Sequence, residues 1–154
     1  MKEGNGRRPD AQPRGPIEIL LIEDHDAEAL LIKEILEELP LPLHVRIARD
    51  GMEALLMIAN GARLPGLIIV DLNLPYISGH GVIEQFHPKD VPVIAFTSSQ
   101  KESDRKLALE LGARDYVQKP MDLASYTEAV RGIVRRWAPR APGQDAPSQA
   151  RQAS

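Results

Sequence analysis

The chain has no cysteine among its 154 residues. That excludes a disulfide framework, a thiolate metal site and a cysteine nucleophile. Aromatic residues are scarce, at 4% of the total, so a core drawn from the 43% hydrophobic fraction must be mainly aliphatic. No stretch approaches the roughly 20 apolar residues that cross a bilayer. Residues 1–16 are rich in Gly, Arg and Pro and hold no apolar run, unlike a secretory signal. The expected location is the cytoplasm. His25, His44, His80 and His87 show no metal-ligand spacing. Positive charge is also short where it would matter. Residues 1–16 and 138–154 hold six of the 19 basic residues and three of the 22 acidic ones. The remaining middle is acidic, which argues against a nucleic-acid surface.

What is present is an alternation of strand-like and helix-like segments from residue 17 onward. Ile17–Ile22 is a short apolar run of the kind a strand buried on both faces shows. Asp26 is expected to cap a helix reaching Leu39, with Ala27, Leu30, Leu31, Ile35 and Leu39 as its inner stripe, widened by Ile32 and Leu36. Pro40 and Pro42 stop it. Leu43–Ala48 reads as a second strand. Asp50 caps a helix from Gly51 to about Asn60, and Gly61 suits its C-terminal end. Gly66–Asp71 and Pro92–Phe96 read as the third and fourth strands, with a short helix ending near Phe86 between them. Residues 101–111 form a helix with a narrow apolar stripe, Leu107, Ala108 and Leu111, which Gly112 ends. Arg114–Val117 is the fifth strand. Asp122 caps a last helix with Leu123, Tyr126, Val130, Ile133, Val134 and Trp137 at helical spacing.

Five strands alternating with five helices predict a doubly wound α/β domain with a five-stranded parallel sheet. The flavodoxin-like order 2-1-3-4-5 sets the first and third strands side by side at the switch point. The expected division is a disordered leader over 1–16, one domain over 17–137 and a disordered tail over 138–154.

The strand ends carry the chemistry. Glu23 and Asp24 follow the first strand, Asp71 the third, Thr97 ends the fourth, and Lys119 follows the fifth. Three carboxylates in one crevice repel one another unless a cation sits among them. Mg2+ fits, because it takes oxygen ligands and keeps waters. A carboxylate beside Mg2+ can attack phosphorus, and an ammonium and a hydroxyl can then hold the phosphoryl oxygens.

Five stretches in order carry a resemblance. They are Ile22-Glu23-Asp24, Asp50-Gly51-x-Glu53-Ala54-Leu55, Val70-Asp71-Leu72-Asn73-Leu74-Pro75 with Gly79, Phe96-Thr97-Ser98-Ser99, and Leu111-Gly112-Ala113-x-Asp115-Tyr116-Val117-x-Lys119-Pro120. With them the chain resembles the receiver domain of two-component response regulators, the CheY-like fold. The Asp-Leu-Asn-Leu-Pro and Thr-Ser-Ser stretches are similar to those of stand-alone regulators paired with phytochrome-type kinases. The resemblance implies that Asp71 is the phosphoacceptor. It implies that Glu23, Asp24, Asp71 and the Asn73 carbonyl hold Mg2+, with Glu23 acting largely through a water. Thr97 and Lys119 would bind the phosphoryl group, Thr97 and Tyr116 would form the conformational switch, and the Lys119–Pro120 bond would be cis. The implied partner is a sensor histidine kinase or a phosphotransfer protein. Too few residues follow the domain for a DNA-binding unit, so the expected output is altered protein binding, a homodimer through the fourth helix, fifth strand and fifth helix included. The implied role is that of a signalling phosphoacceptor rather than an enzyme. Two rivals are weaker. A degenerate receiver acting as an unphosphorylated interaction module usually lacks a reacting residue, and none is missing here. A hydrolase of the haloacid dehalogenase type carries a second carboxylate where Asn73 stands.

Overall fold

The computed structural model describes residues 15–60, 64–86 and 91–139. The expectations for Gly61, for residues 1–14 and for residues 140–154 lie outside the described residues. The elements alternate in the order β1 (Ile17–Ile22), α1 (Asp26–Glu37), β2 (Leu43–Ala48), α2 (Gly51–Asn60), β3 (Leu67–Val70), α3 (Gly79–Phe86), β4 (Val93–Thr97), α4 (Glu102–Leu111), β5 (Asp115–Gln118) and α5 (Leu123–Trp137). The strands form one sheet in the order β2-β1-β3-β4-β5. Every neighbouring pair is parallel. This is the topology expected from the alternation.

The apolar strands follow from burial on both faces. Ile19, Leu21, Leu67, Ile69, Ile94 and Phe96 face α1 and α5, whereas Leu20, Ile22, Ile68, Val70, Val93 and Ala95 face α2, α3 and α4. Ile22 pairs with Val70, and Val70 with Ala95. The residues just past Ile22 and Val70, namely Glu23 and Asp71, therefore emerge side by side at the carboxyl edge.

The first helix departs from expectation in two respects. His25, not Asp26, occupies its cap position, and it makes no side-chain cap bond. Asp26 instead lies 3.1 Å from the Arg49 guanidinium. The buried positions are Ala29, Ile32, Ile35, Leu36 and Leu39, while Leu30 is 55% exposed. Of the expected stripe, Ile32, Ile35, Leu36 and Leu39 are therefore buried and Leu31 packs partly against the core, while Ala27 and Leu30 lie outside it. The other two caps form as expected. Asp50 accepts the Glu53 amide at 2.8 Å while Glu53 reaches back to the Arg49 amide at 2.7 Å. Asp122 accepts the Ser125 amide at 2.9 Å. The domain also runs past Trp137. Ala138, assigned to the tail from sequence, is buried in the α1–α5 core. Pro139 packs on Gly66, where an added Cβ would lie 2.9 Å from the proline ring.

Candidate functional site

Each site residue sits where a strand ends. Glu23 (1% exposed), Asp71 (6%) and Thr97 (0%) are the buried polar or charged residues of the described chain. Below Asp71 the loop turns back tightly: the Gly79 amide donates to Leu72 O at 2.9 Å. A Cβ on Gly79 would come within 2.3 Å of Asp71 O, so only glycine lets α3 start there. Tyr76, in the same loop, takes a positive φ of 65° and is 90% exposed. Asn73 is exposed, and its amide donates to Asp71 Oδ1 at 3.2 Å.

Lys119 ties the carboxylates together. Its Nζ lies 3.0 Å from Glu23 Oε1, 3.2 Å from Asp71 Oδ2 and 2.8 Å from Glu28 Oε2. The Phe96 ring lies beneath, its centroid 5.7 Å from the ammonium. Burial works against the charge on Lys119, but Glu28, Asp71 and Glu23 outweigh it and hold its pKa above the usual lysine range. Burial pushes the Glu23 carboxyl up, Lys119 partly offsets this, and Asp71 adds to it. For Glu28 burial is again opposed, here by hydrogen bonds from Lys119 and Tyr126, and the net direction is down.

The Lys119–Pro120 peptide is trans, contrary to the cis bond implied by the family resemblance. A trans X–Pro bond is favoured by about 0.5–1 kcal/mol. The trans backbone already brings the ammonium to three carboxylates and the Lys119 amide to Thr97 O at 2.7 Å, so no contact here demands the cis form. Thr97 Oγ1 accepts the Ser99 amide at 3.3 Å. Tyr116 is half-buried, and its hydroxyl donates to Ser99 O at 2.9 Å.

The acid cluster suits a hard cation. Glu23, Asp24 and Asp71 each offer an oxygen within 4.8 Å of the others. Asp24 Oδ1 is buried, yet among the described residues it has no hydrogen-bond partner. The exposed His25 Nδ1 stands 3.7 Å away, too far for a hydrogen bond, and a buried carboxylate oxygen so placed is costly unless something binds it. The donors are all oxygen, which favours Mg2+ or a similar ion over zinc. His25 stands at the exposed rim, Nδ1 3.5 Å from Glu23 Oε2.

Two participants escape the sequence reading. Glu28 is not singled out there, and Tyr126 appears only at helical spacing in the last helix. In the structure the Tyr126 hydroxyl donates to the Glu28 oxygen that also receives Lys119. The available signal is positional. Glu28 lies in the first turn of α1 and Tyr126 in the first turn after the Asp122 cap of α5, so both lie at the strand-end edge.

A parallel sheet in this order gathers the acids of β1 and β3, the buried threonine of β4 and the lysine after β5 at the carboxyl ends of its strands, the edge where doubly wound α/β folds bind ligands. The model of the response regulator receiver domain matches residues 19–131, and the chain belongs to that family. It is 33% identical over 132 residues to the response regulator Rcp1 of Synechocystis, covering 79% of this chain and 89% of that one. It is 32% identical over 130 residues to the probable methanogenesis regulatory protein FilR2 of Methanothrix harundinacea, covering 79% and 84%. The phosphorylated cyanobacterial phytochrome response regulator RcpA superposes with a TM-score of 0.75 at 31% identity, covering 84% of this chain and all of that one. The Mn2+-bound form of Rcp1 gives 0.74 at 30% identity, covering 83% and 100%. Among the described residues no helix is long and apolar enough to cross a membrane.

Proposed function

We propose that this chain is a phosphoryl-accepting response regulator, with Asp71 as the acceptor. The observation that carries the reading is the buried Asp71 carboxylate, 3.2 Å from the Lys119 ammonium and beside Glu23 and Asp24. Asp71 attacks the phosphorus of a phosphohistidine on a sensor kinase or phosphotransfer protein. The P–N bond breaks, and the electron pair leaves on the imidazole nitrogen, which takes a proton. Glu23, Asp24, Asp71 and the Asn73 carbonyl would hold Mg2+, which when bound offsets the developing charge on the phosphoryl oxygens.

Lys119 supplies a second positive charge to those oxygens, and the Thr97 hydroxyl supplies a hydrogen bond. Thr97 must turn toward the phosphoryl group, which releases the Ser99 amide. Tyr116 follows, because its hydroxyl is held by the carbonyl of the same Ser99. The output is altered binding on the α4-β5-α5 face, either to a target or to a second copy. A phytochrome-type kinase as the donor is supported by the likeness to RcpA and Rcp1. That Asp71, Lys119 and Thr97 are all present at neighbouring strand ends favours this reading over an unphosphorylated module.

The test is intact mass after incubation with Mg2+ and acetyl phosphate. One phosphoryl adduct on the wild type and none on Asp71→Asn is the expected result. Equal labelling of Asp71→Asn would refute the acceptor assignment, and turnover without an adduct would indicate a hydrolase.

A further inference from the structure

We propose that Glu28 is a positioning residue that competes with the incoming phosphoryl group for Lys119, and that Tyr126 fixes it in that role. This rests on the phosphoacceptor reading of Asp71. An ammonium has three donors. Lys119 commits all three to carboxylates, and the shortest contact, 2.8 Å, is to Glu28. A phosphoryl group on Asp71 draws Lys119 toward its own oxygens, and each remaining carboxylate that holds the ammonium opposes that shift. Glu23 is fixed at a strand end at 1% exposure, and Asp71 carries the group itself. Glu28 lies in the first turn of α1, and its side chain is 25% exposed. A groove of about 530 Å3 beside it, lined also by Pro120, Met121 and Tyr126, gives it room to turn. It is the partner that can leave.

Charge drives the departure. The acyl phosphate carries about −1.5 to −2 near pH 7 in place of the single charge of the Asp71 carboxylate, so about −0.5 to −1 is added and moved outward, which repels Glu28 and attracts Lys119. Tyr126 sets the resistance. Its hydroxyl donates to the same Glu28 oxygen that Lys119 uses, and its ring is locked edge-on against Phe96 at 5.3 Å between centroids. When Lys119 and Glu28 part, the link that runs from Lys119 through Glu28 of α1 to Tyr126 of α5 is broken at its β5 end. The Asp71 site thereby gains a second route outward, toward α5, beside the one through Thr97 and Tyr116.

The measurement is affinity for beryllofluoride, a phosphoryl mimic for Asp71, in the presence of Mg2+. It is made by calorimetry with 19F NMR of the bound fluorines, on the full chain. Glu28→Gln removes the competing charge and should tighten beryllofluoride by about tenfold, while Mg2+ affinity alone changes by less than about threefold. Tyr126→Phe keeps the charge but loosens its tether, and should tighten beryllofluoride by about two- to threefold. In a Lys119→Ala background the gain from Glu28→Gln should vanish, since the two residues act as one unit. A purely structural role for Glu28 would weaken binding instead. Unchanged or weaker binding by Glu28→Gln overturns the proposal, as does a gain that survives without Lys119. If Glu28→Gln does not fold, unchanged affinity in Tyr126→Phe overturns it. A wild type that binds no beryllofluoride removes the phosphoacceptor reading and this proposal with it, whereas a wild type that binds while Glu28→Gln gains nothing removes the proposal alone.

Discussion

Helices α4 and α5 lie on opposite faces of one sheet and are held very differently. The α5 helix runs 15 residues, buries Tyr126, Val130, Ile133 and Val134, and carries a side-chain cap from Asp122. Arg135 and Arg136 in its last turn suit the negative end of its dipole. The α4 helix runs 10 residues and buries only Ala108, and Lys101 at its cap position makes no side-chain bond. Leu107, expected on its inner stripe, is 42% exposed. An element whose one fully buried side chain is an alanine, with Leu109 and Leu111 only partly buried against the same core, costs less to move than α5. It also follows the Thr97–Ser99 loop, where Tyr116 is anchored. The rigid helix is joined to the site through Tyr126 and Glu28, and the loosely held one is free to respond.

This contrast can be broken by mutation. The largest difference is expected between Ile133→Ala and Leu107→Ala. Ile133 is 3% exposed, so its truncation should cost about 2–5 kcal/mol by transfer and cavity. Leu107→Ala should fall within about 0.5 kcal/mol of wild type. Urea unfolding of the two variants checks both, and equal losses would show that α4 is packed as firmly as α5.

The two tyrosines give the next difference. The Tyr126 hydroxyl donates to a carboxylate and that of Tyr116 to a backbone carbonyl. Hydrogen bonds to charged groups contribute about 1.5–3 kcal/mol and neutral ones about 0.5–1.5. Tyr126→Phe should therefore lower stability more than Tyr116→Phe, and the reverse order in chemical denaturation would contradict the assignment.

Adding a cap sharpens the comparison. Lys101 has extended backbone angles, φ −77° and ψ 126°, which suit an N-cap. Lys101→Asp should stabilise α4 by about 0.5–1 kcal/mol and slow amide exchange along it. No change in exchange would mean that fraying is not what loosens α4.

The smallest effect depends on pH. The Ser125 amide holds Asp122 below the ordinary aspartate range. An acid with a depressed folded pKa contributes stability above its unfolded value, and that stability is lost as pH falls through the folded one. Asp122→Ala should thus lower the thermal midpoint at pH 7, with the gap to wild type closing toward strongly acid pH. A gap that widens on acidification would give the wrong sign.

The strands were legible because β1, β3 and β4 are apolar runs and buried parallel strands need nothing else. The site residues were legible as strand-end neighbours, since topology alone brings Glu23 and Asp71 together. One edge of the α1 stripe, Ala27 and Leu30, is exposed against expectation for a physical reason. Ala27, Ala29, Leu30, Leu31, Ile32, Ile35 and Leu36 offer two overlapping stripes, and only the position of the sheet selects one. The Glu28–Tyr126 bond joins residues 98 apart in the chain. Nothing local marks such a contact, so both residues read as ordinary helix positions. The expected cis bond at Lys119–Pro120 rested on resemblance alone, and the bond is trans.

The central claim is that a phosphoryl group on Asp71 acts first on the loosely held side of the sheet. Hydrogen exchange read by mass spectrometry tests it most directly, with Mg2+ present throughout and acetyl phosphate added or withheld. The account predicts altered exchange in residues 98–111, spanning the Ser98–Ser99 loop and α4, with a smaller change at the start of α5 and none in its core around Ile133. Asp71→Asn should show no change anywhere. Unaltered exchange over 98–111 in phosphorylated wild type, or the same change in Asp71→Asn, would contradict it.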